Sequence, residues 1–235
     1  MDTDQMETLV GKLAALLSEI TADEIAEVMH VAKTRLTNEA KIRERLETFN
    51  GRVKTLIDKG YPEAAGMEKG QFLGYINPLS DKFEIGDIIV IPECIVAIPR
   101  QMSMVKLAGK TGYADPNLGV FRNVAGVKTP NVPYLSRRVE NGAIMRKTSP
   151  NNCIKQFRRQ RRFGLVTEEG IAIVTNKPWT LNDHYITFPG SCCESADKVP
   201  GIYLDYDGRP GLNCFGADDA FDHWGSASCG SRILA

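Results

Sequence analysis

The sequence lacks net charge, long apolar runs and every short motif that names a reaction. Its 29 basic and 29 acidic side chains cancel, which excludes a globally basic nucleic-acid protein and leaves only the distribution of charge to carry information. The unbroken apolar stretches, Ile88 to Ile91 and Cys94 to Ile98, reach four and five residues, whereas a membrane span needs roughly 20. No membrane association is expected. The stretch Met1 to Val10 carries Asp2, Asp4 and Glu7 and no basic region leading into an apolar one, the wrong pattern for a secretory signal. A cytoplasmic setting is expected. Cysteines number six in 235 residues, far below the density of a small disulfide scaffold, so free thiols are expected. There is no G-x-x-x-x-G-K-[ST], no G-x-G-x-x-G after a strand, no H-E-x-x-H and no G-x-S-x-G. Those absences remove nucleotide hydrolases, dinucleotide enzymes, zincins and ordinary α/β-hydrolases from the front rank. With 43% apolar and 25% charged residues the chain has ordinary globular usage and should fold.

Residues 1–60 read as helical. Leu9, Val10, Leu13, Leu16, Leu17 and Ile20 recur at helical spacing, and Thr21 followed by Glu24 is a capping-box pattern that opens a second helix. That helix carries Ile25, Val28, Ala32, Leu36, Ile42, Leu46, Phe49, Val53 and Leu56, and Gly60-Tyr61-Pro62 stops it. Such a stripe serves either self-association or packing on its own domain. Residues 61–235 change character. A short helix is expected around Gln71 to Ile76, then strands over Asp87 to Pro92, Cys94 to Ile98 and Met102 to Leu107. Asn141-Gly142 suits a tight hairpin turn between Tyr134 to Val139 and Ala143 to Arg146. Ser149-Pro150 opens a helix through Arg159, Thr167 caps the next one, and Lys177-Pro178 closes it. Gly201 to Asp205 and Leu212 to Phe215 pair across Asp207-Gly208. The expected fold class is α+β: a helical N-terminal segment, 1–60, followed by a mixed, mainly antiparallel domain, 61–235.

The zero charge sum hides a strong asymmetry. Residues 137–162 hold nine basic side chains and one acidic, a net +8, while 163–235 hold four and ten, a net −6. Arg137, Arg138, Arg146 and Lys147 fall on the expected hairpin, and Lys155, Arg158, Arg159, Arg161 and Arg162 on and after the following helix. Arginine forks match phosphate oxygens, so this block is the candidate anion-binding surface for a nucleic acid or an acidic protein. Only Phe157 and Phe163 accompany the arginines, so base stacking is not signalled. The opposing reading has the basic helix docked on the acidic C-terminal segment.

The second constellation is His184, Cys192, Cys193, Cys214, His223 and Cys229. Zinc accepts such ligands, and Cys193, Cys214, Cys229 and His223 are the alternative metal set, or a thiol nucleophile with a histidine base. Paired Cys-x-x-Cys knuckles are missing, so no cofactor is expected and zinc stays an alternative. Asp205, Asp207, Asp218, Asp219 and Asp222 read first as turn and surface carboxylates.

The order of motifs in the C-terminal third is distinctive: Leu165-Val166-Thr167-Glu168-Glu169-Gly170, Gly190-Ser191 with Cys193, Val199-Pro200, Gly208-Arg209-Pro210, Cys214, Gly216 and Trp224-Gly225-Ser226-Ala227-Ser228-Cys229. In this order the chain resembles a bacterial family known as a domain of unknown function, number fifty-seven zero one, from about residue 53 to 233. Cys192 stands where that pattern has an arginine, and Asn213 where it has an aromatic residue. The resemblance implies a compact cytosolic domain and assigns no chemistry.

Overall fold

A computed structural model describes residues 3–19, 21–194 and 197–235. The described helices are Thr3–Glu19 (α1), Ala22–Asp58 (α2), Tyr61–Ala64 (α3), Lys69–Ile76 (α4), Ile98–Met104 (α5), Pro150–Arg159 (α6) and Thr167–Asn176 (α7). The strands are Ile88–Val90 (β1), Lys106–Leu107 (β2), Lys110–Thr111 (β3), Tyr113–Ala114 (β4), Arg122–Asn123 (β5), Tyr134–Arg137 (β6), Phe163–Gly164 (β7), Tyr185–Thr187 (β8), Ser191–Cys192 (β9), Lys198–Leu204 (β10), Pro210–Gly216 (β11), Trp224–Ser226 (β12), Ser228–Cys229 (β13) and Ser231–Ile233 (β14). The fold is α+β.

The chain divides into two compact units, Met1–Glu47 and Thr48–Ala235. In the first, α1 and α2 are separated at Thr21. The Thr21 hydroxyl accepts from the Glu24 amide at 3.2 Å while the Glu24 carboxylate accepts from the Thr21 amide at 2.8 Å, the reciprocal box the sequence predicts. Leu9, Val10, Val28, Met29, Leu36, Ile42 and Leu46 are all exposed. Ile20 and the side chains of Leu13, Leu16, Leu17 and Ile25 lie outside the described residues. α2 stays helical through Asn50-Gly51.

The second unit has two large cores divided by one sheet, and a small third cluster of Met145, Cys153 and Phe157. β6 lies between β1 and β14, antiparallel to both. The two-residue alternation of side chains along β1 sends Ile88 and Val90 to one face and Ile89 and Ile91 to the other. Ile89 joins Phe49, Val53 and Leu56 from the end of α2, with Tyr61, Phe72, Ile76 and Phe83. Ile88 and Val90 meet Ile171 and Val174 of α7 and, beyond them, Ile186, Ile202 and Leu212 of a five-stranded sheet ordered β12-β8-β10-β11-β4. α7 is buried from Thr167 to Thr175, its apolar run Ile171 to Val174 within the core and its two glutamates at the buried helix start.

Three local expectations are corrected. Cys94 to Ile98 forms no strand: Ile95 and Val96 donate to the Pro92 carbonyl at 3.0 and 3.1 Å in a turn, and Pro99 opens α5 with its fixed φ. Met102 to Met104 therefore lies in that helix, leaving Val105 and β2 extended. Ala143–Met145 is a 3-10 turn, so Asn141-Gly142 closes no hairpin. β6 is buried on both faces over its first three residues and takes its partners from distant segments. Gly142, at φ 94°, is needed for another reason: a Cβ there would stand 2.6 Å from the Gly225 carbonyl oxygen. The β10–β11 pairing and the α6 boundaries are as expected.

Candidate anion-binding site

The basic block is split by the fold. Arg137, at the end of β6, is spent internally: its Nε lies 3.1 and 3.2 Å from the Asp87 carboxylate oxygens, Nη2 reaches Asp87 at 2.9 Å, and Nη1 reaches Glu84 at 2.8 Å. Asp87 is buried, so this guanidinium stabilises the edge of the sheet and is not available to a partner. Lys147 faces Asp222 at 3.6 Å, both exposed, an arrangement of small energetic weight. Lys155 donates to Asn152 within its own helix. Arg138 and Arg146 are exposed, and neither side chain lines the cleft described next.

Arg158, Arg161 and Arg162 do converge. α6 buries Cys153 and Phe157 and places Arg158 and Arg159 in its last turn. The helix then ends in a Schellman closure: the Arg162 amide donates to the Phe157 carbonyl at 2.8 Å, and the Arg161 amide to the Arg158 carbonyl at 3.2 Å. That closure needs a left-handed residue between, and Arg161 takes it at φ 55° where glycine is usual. Arg162 is then fixed. Its Nε donates to the Ser228 hydroxyl at 2.9 Å, and its Nη2 to the Arg138 carbonyl at 2.7 Å and the Ser228 carbonyl at 3.1 Å. The three arginines border a cleft of about 370 Å³ lined also by Ile154, Phe157 and Phe163, by Val124 to Val127, and by Gly164, Pro189 and Gly190. Among the described residues no carboxylate comes within ion-pair distance of Arg158, Arg159 or Arg161. Chemically this is an apolar slot rimmed by unneutralised cations.

Backbone strain follows the same residues. Among the described residues the non-glycine positions at positive φ are Ala108, Arg138, Lys147 and Arg161, three of them from the basic block. A left-handed non-glycine residue costs on the order of 1 kcal/mol.

The thiol and imidazole constellation comes apart. Cys193, just after β9, and Cys214 on β11 are joined by a disulfide with Cα atoms 6.4 Å apart, which corrects the expectation of free thiols at these two positions and removes both sulfurs from any thiolate set. Cys94, Cys153, Cys192 and Cys229 are free. Cys229 is fully buried, and that burial pushes its thiol up to about 11, the wrong direction for a nucleophile or a metal ligand. His184 is buried between the Asp183 carboxylate and the Asn141 carbonyl, each 3.0 Å away, and His223 is exposed. Among the described residues no three His, Cys, Asp or Glu side chains are grouped to hold a metal ion. Asp205 accepts from the amides of Asp207 at 3.0 Å and Arg209 at 2.9 Å, as a turn aspartate does.

The motif Leu165 to Gly170 builds the entry of α7. The helix starts one residue earlier than the sequence suggests, with Val166 at the cap position and Thr167 as the first helical residue. The Glu169 carboxylate accepts from the Val166 amide at 2.9 Å and from Arg232 at 2.7 and 2.8 Å. Gly190 follows from the same packing, since a Cβ there would overlap the Gly164 carbonyl. What the sequence reading missed is Glu168, a buried carboxylate with no such partners. Its only signal was two adjacent glutamates at a helix start, where one suffices for capping.

An α+β domain in which these motifs meet around α7 defines the class. The model of a family of unknown function, DUF5701, matches residues 55–233, and the chain belongs to that family. No curated protein and no solved structure matches it. Among the described residues no helix is long and apolar enough to cross a membrane.

Proposed function

We propose that the protein is an interaction module that holds an anionic partner, a single-stranded nucleic acid in first place, in the cleft rimmed by Arg158, Arg161 and Arg162. The observation that carries this reading is the convergence of three arginine forks on one apolar slot, with Arg162 held by Ser228 and the other two unneutralised. Forked donors suit phosphate oxygens, and a cleft of about 370 Å³ lined by Phe157 and Phe163 has the volume for one base. Titrating labelled single-stranded RNA and DNA at about 50 and 200 mM salt tests it. Three phosphate contacts predict about a 20-fold loss across that range. No binding at the lower salt sinks the reading, and binding only of an acidic peptide transfers it to a protein partner.

The exposed apolar positions of the first unit favour a second role, self-association. Val28, Met29, Leu36 and Ile42 project from a helix with nothing apolar on them among the described residues, which costs water-exposed surface unless another helix covers it.

A further inference from the structure

Two adjacent glutamates at the start of α7 have opposite fates. Glu169 is answered by the Val166 amide and by both arms of Arg232. Glu168 is 7% exposed, and its carboxylate takes a hydrogen bond from its own amide, yet among the described residues no other residue donates to it and no Lys or Arg stands within ion-pair distance. A buried carboxylate left in that state is costly, so a site that keeps one has something else to meet it.

Glu168 opens onto a second cleft, of about 420 Å³, lined by Asn123 and Ser191, the neighbours in sequence of Val124 and Gly190 in the arginine cleft. Phe121 and two prolines form apolar wall, and Glu93 and Cys94 stand at the mouth. The hydroxyl of Ser191 is already engaged, accepting from the Thr167 amide at 3.1 Å and donating to the Asn123 side-chain oxygen at 3.5 Å, and does not serve Glu168. No lining residue is cationic. The cleft therefore offers a desolvated carboxylate, a second carboxylate, an aromatic side chain and amide groups, and lacks any positive charge of its own.

We propose that this cleft binds a small organic cation, an ammonium or guanidinium group, seated on the Glu168 carboxylate with Glu93 as the outer counter-charge. A charged donor on a carboxylate forms the stronger class of hydrogen bond, and it restores what burial took from Glu168. The site is independent of the arginine cleft and stands or falls without it.

Protonation gives the site a signature. Burial is the main cause that raises Glu168, to about 7; its own amide lowers it, Glu169 on the same helix and Glu93 at the mouth raise it, and Arg232 on β14 lowers it. Cys94 at the mouth and Tyr134 on β6 are the remaining titratable groups nearby. A cation binds the ionised form, so affinity rises about tenfold from pH 6 to pH 8 with the ionised fraction.

The test is calorimetric titration of the full chain with methylguanidinium and with butylammonium at both pH values, with mapping of Cys94 alkylation by iodoacetamide as a second readout. Saturable binding is expected, tighter at pH 8, weakened about tenfold with loss of the pH dependence in Glu168→Gln, and accompanied by slower Cys94 alkylation. Should Glu168→Gln fold poorly, Glu93→Gln, at an exposed position, is expected to weaken binding several-fold. Absence of saturable binding to both cations, or unchanged binding in both variants, overturns the proposal.

Discussion

Arg161→Gly separates stability from binding at one residue. Arg161 occupies the left-handed position that closes α6, at φ 55°, and its side chain is exposed. Glycine relieves about 1–2 kcal/mol of left-handed strain and returns about 0.4–1 kcal/mol as added freedom of the unfolded chain. The net expectation is a gain of about 0.5–1 kcal/mol. Urea unfolding followed by the fluorescence of Trp179 and Trp224 should show a higher midpoint at an unchanged slope, which assigns the change to stability and not to the denatured state. The same variant should bind single-stranded RNA more weakly, because one of three cations bordering the cleft is gone. Arg161→Ala should lose the binding without gaining the stability. A lowered or unmoved midpoint in Arg161→Gly would refute the strain argument, since nothing else holds the side chain in place.

Further outcomes follow from the core. Arg232→Ala strands the fully buried Glu169 carboxylate and should cost about 3–5 kcal/mol in urea unfolding. Because the Glu168 carboxyl is raised from 4.5 to about 7 in the folded state, its contribution to stability is complete below pH 4.5 and lost as pH rises through 7. The loss is about 3 kcal/mol, and Glu168→Gln should flatten that part of the profile. Reducing Cys193–Cys214, which closes a loop of sequence separation 21, should lower stability by about 3 kcal/mol, read as a fall in melting temperature on adding a thiol reductant. Leu36→Glu with Met29→Glu should lower the mass measured by light scattering if the first unit self-associates, and leave it unchanged if the chain is a monomer.

The parts of the fold legible in the sequence are those set by neighbouring residues. The Thr21–Glu24 box, Ser149-Pro150 and the Asp207-Gly208 turn each work within a few positions, and each is found where expected. The failures are tertiary. Cys94 to Ile98 has the composition of a strand, but Pro92 and Pro99 bend it into a turn and a helix start. Tyr134 to Arg137 is extended as predicted, yet its partners come from residues 88–90 and 231–233, which no local pattern reveals. The site shows the same division. A block of nine cations was visible, but which of them pair internally depended on Asp87 and Glu84, some fifty residues upstream of Arg137. Glu168 and Glu169 look equivalent in sequence, and only the position of Arg232 on β14 tells the answered carboxylate from the unanswered one.

The central claim is that Arg158 and Arg161 contact the backbone of a single-stranded nucleic acid. The direct measurement is the slope of log K against log salt for the wild type and for Arg158→Ala/Arg161→Ala. The account predicts a slope near −2 for the wild type that falls to about −0.7 in the double variant, one contact at Arg162 remaining. An unchanged slope in the double variant would contradict it.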